Sequence, residues 1–155
     1  MSVHAVAHLN FHGDARAALE FYQSVLGGQL TVVTYGDAGM PATAPDATKV
    51  VFGQLVADSG FRVMAYDVPG SADASTPGSE VQKSPTTRRE NGTTRTKEPF
   101  FLSVRGDAVE EVRALWTRLR DGATIIEEFG PSQWAPASGM LYDRFGITWI
   151  LDVAG

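Results

Sequence analysis

Residues 7–15 read AHLNFHGDA, and residues 100–108 read FFLSVRGDA. Laying Asp14 on Asp107 gives an offset of 93 positions, and at this offset apolar residues continue to match apolar residues downstream. The matched pairs are Leu9 with Leu102, Phe11 with Val104, Leu19 with Val112, Tyr22 with Leu115 and Leu26 with Leu119. A repeat of this length indicates two copies of one supersecondary unit, and a cavity between similar halves is a natural place for a ligand.

Each copy predicts a strand, a helix and three further strands. In the first copy, Leu9 and Phe11 alternate with polar residues, which predicts a strand at 5–11. Asp14 is the expected N-cap of a helix that ends at the two glycines 27–28. In the second copy, Asp107 and Glu110 predict a capping box. Further strands are predicted at 29–35, 49–56 and 61–67, and at 124–129, 140–143 and 148–153. The predicted fold class is α+β, with tandem β-α-β-β-β modules.

The composition narrows the class of protein. A chain of 155 residues that is 43% hydrophobic is long enough to bury one core, and the absence of cysteine excludes disulfides and thiolate chemistry. A net charge of −5 disfavours a nucleic-acid surface. No apolar run approaches the roughly 20 residues that span a bilayer, and the first residues lack the basic start of a signal peptide. We therefore expect a cytoplasmic protein with no nucleic-acid or membrane partner.

The middle of the chain differs from both copies. Residues 68–99 are rich in Ser, Thr, Pro, Gly and charge, and residues 72–98 show neither apolar periodicity nor strand alternation. Such a composition buries little apolar surface, which predicts an exposed, flexible linker. The predicted organisation is a first module at 1–67, the linker at 68–99 and a second module at 100–155, within one structural domain. For the basic residues of the linker we expect one of two roles. They are either exposed to solvent with no partner role, or part of a lid that binds an anionic ligand.

Strand alternation separates a helix-facing set of side chains from a ligand-facing set. Because Leu9, Phe11, Leu102 and Leu151 are expected under the helices, their neighbours must point the other way. The ligand-facing candidates are His8, Asn10, Gln54, Phe101, Ser103 and Ile150. Three aromatic residues, Trp134, Tyr142 and Trp149, either stack on a planar ligand or belong to the core. Arg62 and Arg105, on or beside strands, are candidates for anion binding or for simple solvent exposure.

Two further stretches point to a family. HLNFHGDARAALEFYQSVLGGQL at 8–30 and DRFGITWILDV at 143–153 resemble the vicinal oxygen chelate (glyoxalase, bleomycin resistance and dioxygenase) superfamily, and more narrowly its PhnB-like, 3-demethylubiquinone methyltransferase-like branch. The resemblance covers both modules and implies sheets that curl into an open cup, with dimers common among members. The methyltransferase label gains no support, because no Gly-rich loop suited to S-adenosylmethionine is visible.

The resemblance also implies where a metal would lie. In metal-dependent members, a His or Gln and a Glu from each module hold a divalent ion whose open positions bind the substrate. The position that corresponds to the last Glu is Ile150, seven residues after Asp143, and the nearest equivalents on the strand at 50–56 are Phe52 and Gln54. Two ligand positions have thus lost their charge, so we predict no metal ligands and no cofactor, with a divalent metal as the disfavoured alternative.

These observations predict a protein that binds a small organic molecule in a mixed polar and apolar cavity and forms a homodimer. The alternative is a lyase, isomerase or dioxygenase of the same superfamily that uses a divalent metal or His8 as the base. A third possibility is a scaffold that acts through a protein partner. Neither the identity of the ligand nor the occurrence of catalysis follows from the residues.

Overall fold

The computed structural model describes residues 2–70 and 84–155. The chain divides into two compact units, of which the first ends at Val81 and the second begins at Gln82. Each unit contains one helix packed on one four-stranded sheet. Part of the predicted linker, residues 71–83, lies outside the described residues, so the boundaries predicted at 67 and 100 stay a prediction.

The first unit is a βαβββ module. Its sheet has the order β1-β4-β3-β2, in which β1 and β4 run parallel and the other neighbours antiparallel. Its elements are β1 Ala7–Phe11, α1 Ala15–Leu26, β2 Gln29–Thr34, β3 Val50–Val56 and β4 Arg62–Asp67.

The second unit repeats this arrangement after a short hairpin. Its sheet has the order β7-β10-β9-β8, and again only the first pair is parallel. Its elements are β5 Arg88–Glu90, β6 Thr93–Arg95, β7 Leu102–Gly106, α2 Val109–Leu119, β8 Thr124–Gly130, β9 Ser138–Tyr142 and β10 Thr148–Val153. Two modules with one strand order confirm the predicted α+β fold of tandem β-α-β-β-β modules.

The helix of each unit lies against a glycine of the sheet. A Cβ atom on Gly53 of β3 would come within 2.4 Å of the Leu19 side chain of α1. On β9, a Cβ atom on Gly139 would come within 2.9 Å of the Trp116 ring of α2. Both distances are far shorter than a carbon–carbon contact, so each glycine allows the close approach of a large helix side chain.

The start of α1 depends on a residue from the other end of its module. The Asp67 carboxylate, 1% exposed, accepts hydrogen bonds from the backbone N–H groups of Gly13 (2.8 Å), Ala15 (3.0 Å) and Val50 (2.9 Å). Asp14 is the N-cap residue as predicted, but its side chain makes no capping hydrogen bond. A buried carboxylate therefore satisfies a backbone donor that the first helical turn leaves without an intrahelical partner.

The predicted capping box of the second helix is wrong. The N-cap of α2 is Ala108, in an extended conformation and without a side-chain cap. Because Asp107 precedes the N-cap by one residue, it does not occupy the position from which a capping box is built. Two glutamates in the first turn, Glu110 and Glu111, place negative charge beside the positive end of the helix dipole instead.

The turn between β9 and β10 is organised by another buried carboxylate. Asp143 Oδ1 accepts hydrogen bonds from the backbone N–H groups of Phe145 (2.8 Å) and Ile147 (3.0 Å). Asp143 Oδ2 accepts from Trp149 Nε1 at 2.9 Å, and both Asp143 and Trp149 are 1% exposed. Residues 143–147 thus form a turn whose first residue also fixes the core tryptophan of β10.

The prediction that residues 72–98 contain no strand is wrong for the hairpin β5–β6. Asn91 and Gly92 form its turn with φ of 50° and 76°, values that Asn and Gly tolerate and that hairpin turns use. Arg89 pairs with Glu127 of β8, and the Glu98 carboxylate accepts hydrogen bonds from Thr148 Oγ1 (2.7 Å) and Thr87 Oγ1. These contacts fix the segment against the second sheet.

Neither α1 nor α2 is a candidate for a membrane span. They have 12 and 11 residues, and no other helix in 2–70 and 84–155 has the length and apolarity that a bilayer crossing requires.

Candidate functional site

The open face of the first sheet, meaning the face opposite α1, carries three of the six predicted ligand-facing side chains. Leu9 and Phe11 are 1% and 5% exposed under the helix, whereas His8 and Asn10 between them are exposed. In β4, the half-buried Met64 and Tyr66 alternate with buried Val63, Ala65 and Asp67. The register pairs His8 with Met64 and Asn10 with Tyr66, so these four side chains share the open face.

The His8 side chain contacts those of Asn10 and Tyr66. His8 Nδ1 lies 3.1 Å from Asn10 Oδ1, and the His8 and Tyr66 rings meet edge to face with centroids 5.3 Å apart. When Nδ1 carries the imidazole proton, it donates to Asn10 and leaves Nε2 as an acceptor. We call these three residues the His8 cluster. It offers an aromatic surface, an amide and a nitrogen that can accept a hydrogen bond or a proton.

Gln54 lies in the same row as His8 but not beside it. The register runs from Thr31 through Gln54 and Met64 to His8, so the Met64 thioether stands between the amide and the imidazole. Phe52, two residues before Gln54, is 37% exposed. The row is polar at both ends and apolar in its middle.

The open face of the second sheet carries a different row. Ser103, Ile150, Met140 and Glu127 follow one another across the register, with Ser103 exposed, Ile150 half-buried and Met140 buried. Phe101, half-buried, immediately precedes β7. The only charged side chain of this row, Glu127, is paired with Arg89 of the hairpin. Ile150 therefore has no charged neighbour in register.

These donors do not fit the metal site that the family resemblance implies. The register neighbours of His8 and Ile150 are Met64 and Ser103, and the alternative positions hold Phe52 and Gln54. One imidazole and one amide without a carboxylate are a poor set for the divalent ions that oxygen and nitrogen ligands hold. Within 2–70 and 84–155, no three His, Cys, Asp or Glu side chains group closely enough to ligate an ion.

The three aromatic candidates differ in their surroundings, and Trp149 belongs to the core at 1% exposure. Trp134 lies in the loop between β8 and β9 and is 57% exposed. Tyr142 is buried in β9 and lines a pocket of about 130 Å³ together with Ser84, Thr86, Glu98 and Gly146. Trp134 and Tyr142 both belong to the second unit, whereas the His8 cluster belongs to the first.

The surroundings of Tyr142 predict a pH effect. Burial, and then the charges of Glu98 and Asp143, raise the pKa of Tyr142, and burial also raises the pKa of Tyr35. A phenol whose pKa is raised on folding contributes stability below its unfolded pKa of about 10 and loses it as the pH rises through the folded pKa. We expect phenolate absorbance of the native protein to develop at higher pH than in denaturant, with part of the lag lost in Tyr142→Phe. Coincident native and denatured titration curves would contradict this.

Of the two predicted anion candidates, Arg105 is already neutralised. Its guanidinium makes two hydrogen bonds to the Asp152 carboxylate, at 2.9 and 2.8 Å, and this pair raises the pKa of Arg105. Periodicity did not reveal the pair, because Asp152 lies 47 residues away and becomes a neighbour only through the parallel register of β7 and β10. Arg62 is exposed at the start of β4, and no carboxylate of the described residues pairs with it.

Comparisons with known proteins agree with this architecture. Residues 5–151 match the profile of the Glyoxalase/Bleomycin resistance protein/Dioxygenase superfamily. The chain therefore belongs to this superfamily, as its sequence resemblance predicted. A comparison with curated protein sequences finds no match.

Solved structures share the fold along nearly the whole chain. The crystal structure of PA1353 from Pseudomonas aeruginosa is 28% identical, with 98% of each chain covered and a TM-score of 0.72. The PhnB protein from Bacillus cereus is 20% identical over 98% of this chain and 100% of its own, with a TM-score of 0.67. A glyoxylase/bleomycin resistance protein/dioxygenase domain from Frankia is 14% identical over 100% and 99%, with a TM-score of 0.61. At such identities the last two likenesses concern the fold alone.

Proposed function

We propose that this protein binds a small organic molecule, uncharged or weakly acidic, in a cavity that includes the open face of its first sheet, and does so without a complete metal site. The observation that carries the proposal is the His8 cluster, in which an exposed imidazole, an amide and a tyrosine ring converge on the face opposite the helix. Such a surface offers one hydrogen-bond acceptor, one amide and aromatic area, which suits a ligand with a polar group on an apolar body. The other proposed ligand-binding residues are Gln54, Phe101, Ser103, Trp134, Tyr142 and Ile150.

Metal content and ligand binding test the proposal separately. Protein purified without a His tag is expected to hold no stoichiometric zinc, nickel, manganese or iron by elemental analysis. Small aromatic molecules are expected to shift the amide signals of β1 and β4 in NMR spectra, and His8→Ala is expected to weaken this binding about tenfold. Glu20→Ala, on the exposed surface of α1, is the matched control. Stoichiometric metal that is lost in His8→Ala would overturn the metal-free part of the proposal.

The alternative is a superfamily lyase, isomerase or dioxygenase. The hydrogen bond between His8 Nδ1 and Asn10 Oδ1 favours this alternative, because it leaves Nε2 able to take a proton from a substrate. In that case Asn10 fixes the tautomer and His8 is the base. Turnover of 2-oxoaldehyde hemithioacetals that is abolished in His8→Ala would establish the enzyme, whereas binding without turnover supports the binding protein.

We also propose a homodimer in the cytoplasm. Each sheet ends in strands with one neighbour, β1 and β2 in the first and β7 and β8 in the second. Pairing with a second chain would satisfy the backbone groups of such edges. Sedimentation at micromolar concentration is expected to give twice the chain mass of 16.6 kDa. A monomer under these conditions would remove the assembly from the proposal.

A further inference from the structure

The first unit contains a pocket that the residues of the His8 cluster do not line. It has a volume of about 290 Å³ and lies where β1 and β4 begin. Its lining consists of the segment that leads into β1 and the turn that leads into β4, namely His4, Ala5, Val6, Ala7, Gly60, Phe61 and Arg62. We call it the Arg62 pocket. Its volume is near the lower limit of small-molecule sites, which begins at about 300 Å³.

The pocket has two polar side chains, the guanidinium of Arg62 and the imidazole of His4. Arg62 carries a fixed positive charge, His4 can carry one, and the other lining residues are apolar or glycine. Arg62 has no carboxylate partner among the described residues, in contrast to Arg105, which is held by two hydrogen bonds to Asp152. A guanidinium presents paired N–H donors that match both oxygens of a carboxylate. The apolar lining suits the carbon skeleton of the same ligand.

The pocket adjoins the His8 cluster along β4. Arg62 lies two residues before Met64, and the alternation of buried and less buried residues puts both on the open face. Met64 is the register partner of His8. Because a strand rises about 3.3 Å per residue, the guanidinium-bearing position lies about 7 Å along the sheet from the row of His8. One small molecule is long enough to span both.

We propose that the ligand of the open face is a small organic acid whose carboxylate binds Arg62 in the Arg62 pocket while its apolar body lies toward His8 and Tyr66. This inference rests on the proposed function and names the chemical class of its ligand. The carboxylate of the ligand would pair with Arg62 in the way that the Asp152 carboxylate pairs with Arg105.

Two pairs of isosteres test the charge requirement. Benzoate and phenylacetate are titrated into the full chain by NMR and calorimetry, beside benzamide and phenylacetamide, which have nearly the same shape and no charge. We expect each acid to bind at least tenfold more tightly than its amide, to shift the amide signals of residues 60–62, and to bind more weakly as salt is raised. Arg62→Gln is expected to abolish the preference for the acid, and Arg62→Lys to restore part of it.

Arg105→Gln is the matched control, because it also removes an arginine from a strand, but this arginine is already paired with the Asp152 carboxylate. Its affinity for the acids is expected to equal that of the unchanged protein. Arg62 is exposed, so unchanged thermal unfolding of Arg62→Gln will show that lost binding does not reflect lost folding. Equal affinity for acid and amide, both dependent on His8, would overturn the acid assignment and leave the proposed function standing. Acid binding that Arg62→Gln does not weaken, or no binding of either acid, would also overturn the assignment.

Discussion

Replacing Asp67 by Ala is expected to destabilise the protein by about 3–5 kcal/mol, because several backbone donors lose their acceptor at once. Three backbone N–H groups, those of Gly13, Ala15 and Val50, donate to this carboxylate at 2.8–3.0 Å. Each buried donor left without an acceptor costs about 1–3 kcal/mol, and the costs do not simply add. Denaturant unfolding followed by circular dichroism measures the loss.

Asp152→Ala is the matched control for this experiment. Asp152 is also buried, at 3% exposure, but its hydrogen bonds come from the side chain of Arg105, which is 63% exposed and can turn to water. We expect a loss of about 1 kcal/mol, typical of one hydrogen bond to a partner that remains solvated. An equal loss of unfolding free energy in the two variants would show that the hydrogen bonds from the backbone to Asp67 do not account for its contribution to stability.

Replacing Trp149 by Ala is expected to cost about 3–5 kcal/mol, as for other fully buried aromatic residues. Trp149 is 1% exposed in β10, and its indole N–H donates to Asp143. Trp149→Phe retains most of the volume but removes the donor, so a smaller loss of about 1–2 kcal/mol is expected. Chemical denaturation of both variants separates the packing contribution from the hydrogen bond.

Trp134→Ala is the control for the tryptophan series, because Trp134 is 57% exposed. An exposed substitution of this kind changes stability by about 0.5 kcal/mol or less. A loss as large as that of Trp149→Ala would show that Trp134 is covered in solution. The same variant also tests the proposed role of Trp134 in ligand binding, since its effect on stability is expected to be small.

The alternation of apolar residues was enough to predict the strands of the two four-stranded sheets, and in β1 also the buried face. The last strand was predicted at 148–153 and begins and ends at these residues, and His8 and Asn10 lie opposite Leu9 and Phe11 as expected. The first strand was predicted to begin at residue 5 and begins at Ala7, because pairing with β4 starts only there. Periodicity identifies which side of a strand is buried, but pairing determines its length.

Contacts between distant segments could not be predicted in this way. Neither the hydrogen bonds of Asp67 nor the Arg105–Asp152 pair has a local pattern, since both depend on the register of a parallel strand pair. The hairpin did have a signal, because Asn-Gly is a favoured turn sequence, but the polar composition around Asn91 and Gly92 outweighed it. The pairing of Arg89 with Glu127 compensates for the few apolar residues of that segment.

The strand order has a consequence for how the chain folds during synthesis. In each unit the strand made last, β4 or β10, occupies an interior position between the first strand and the third. Neither sheet can close before this strand has been made, so each unit folds by joining its beginning to its end, which is entropically slow. Because β4 precedes the whole second unit, the first sheet can close while the second is still being translated.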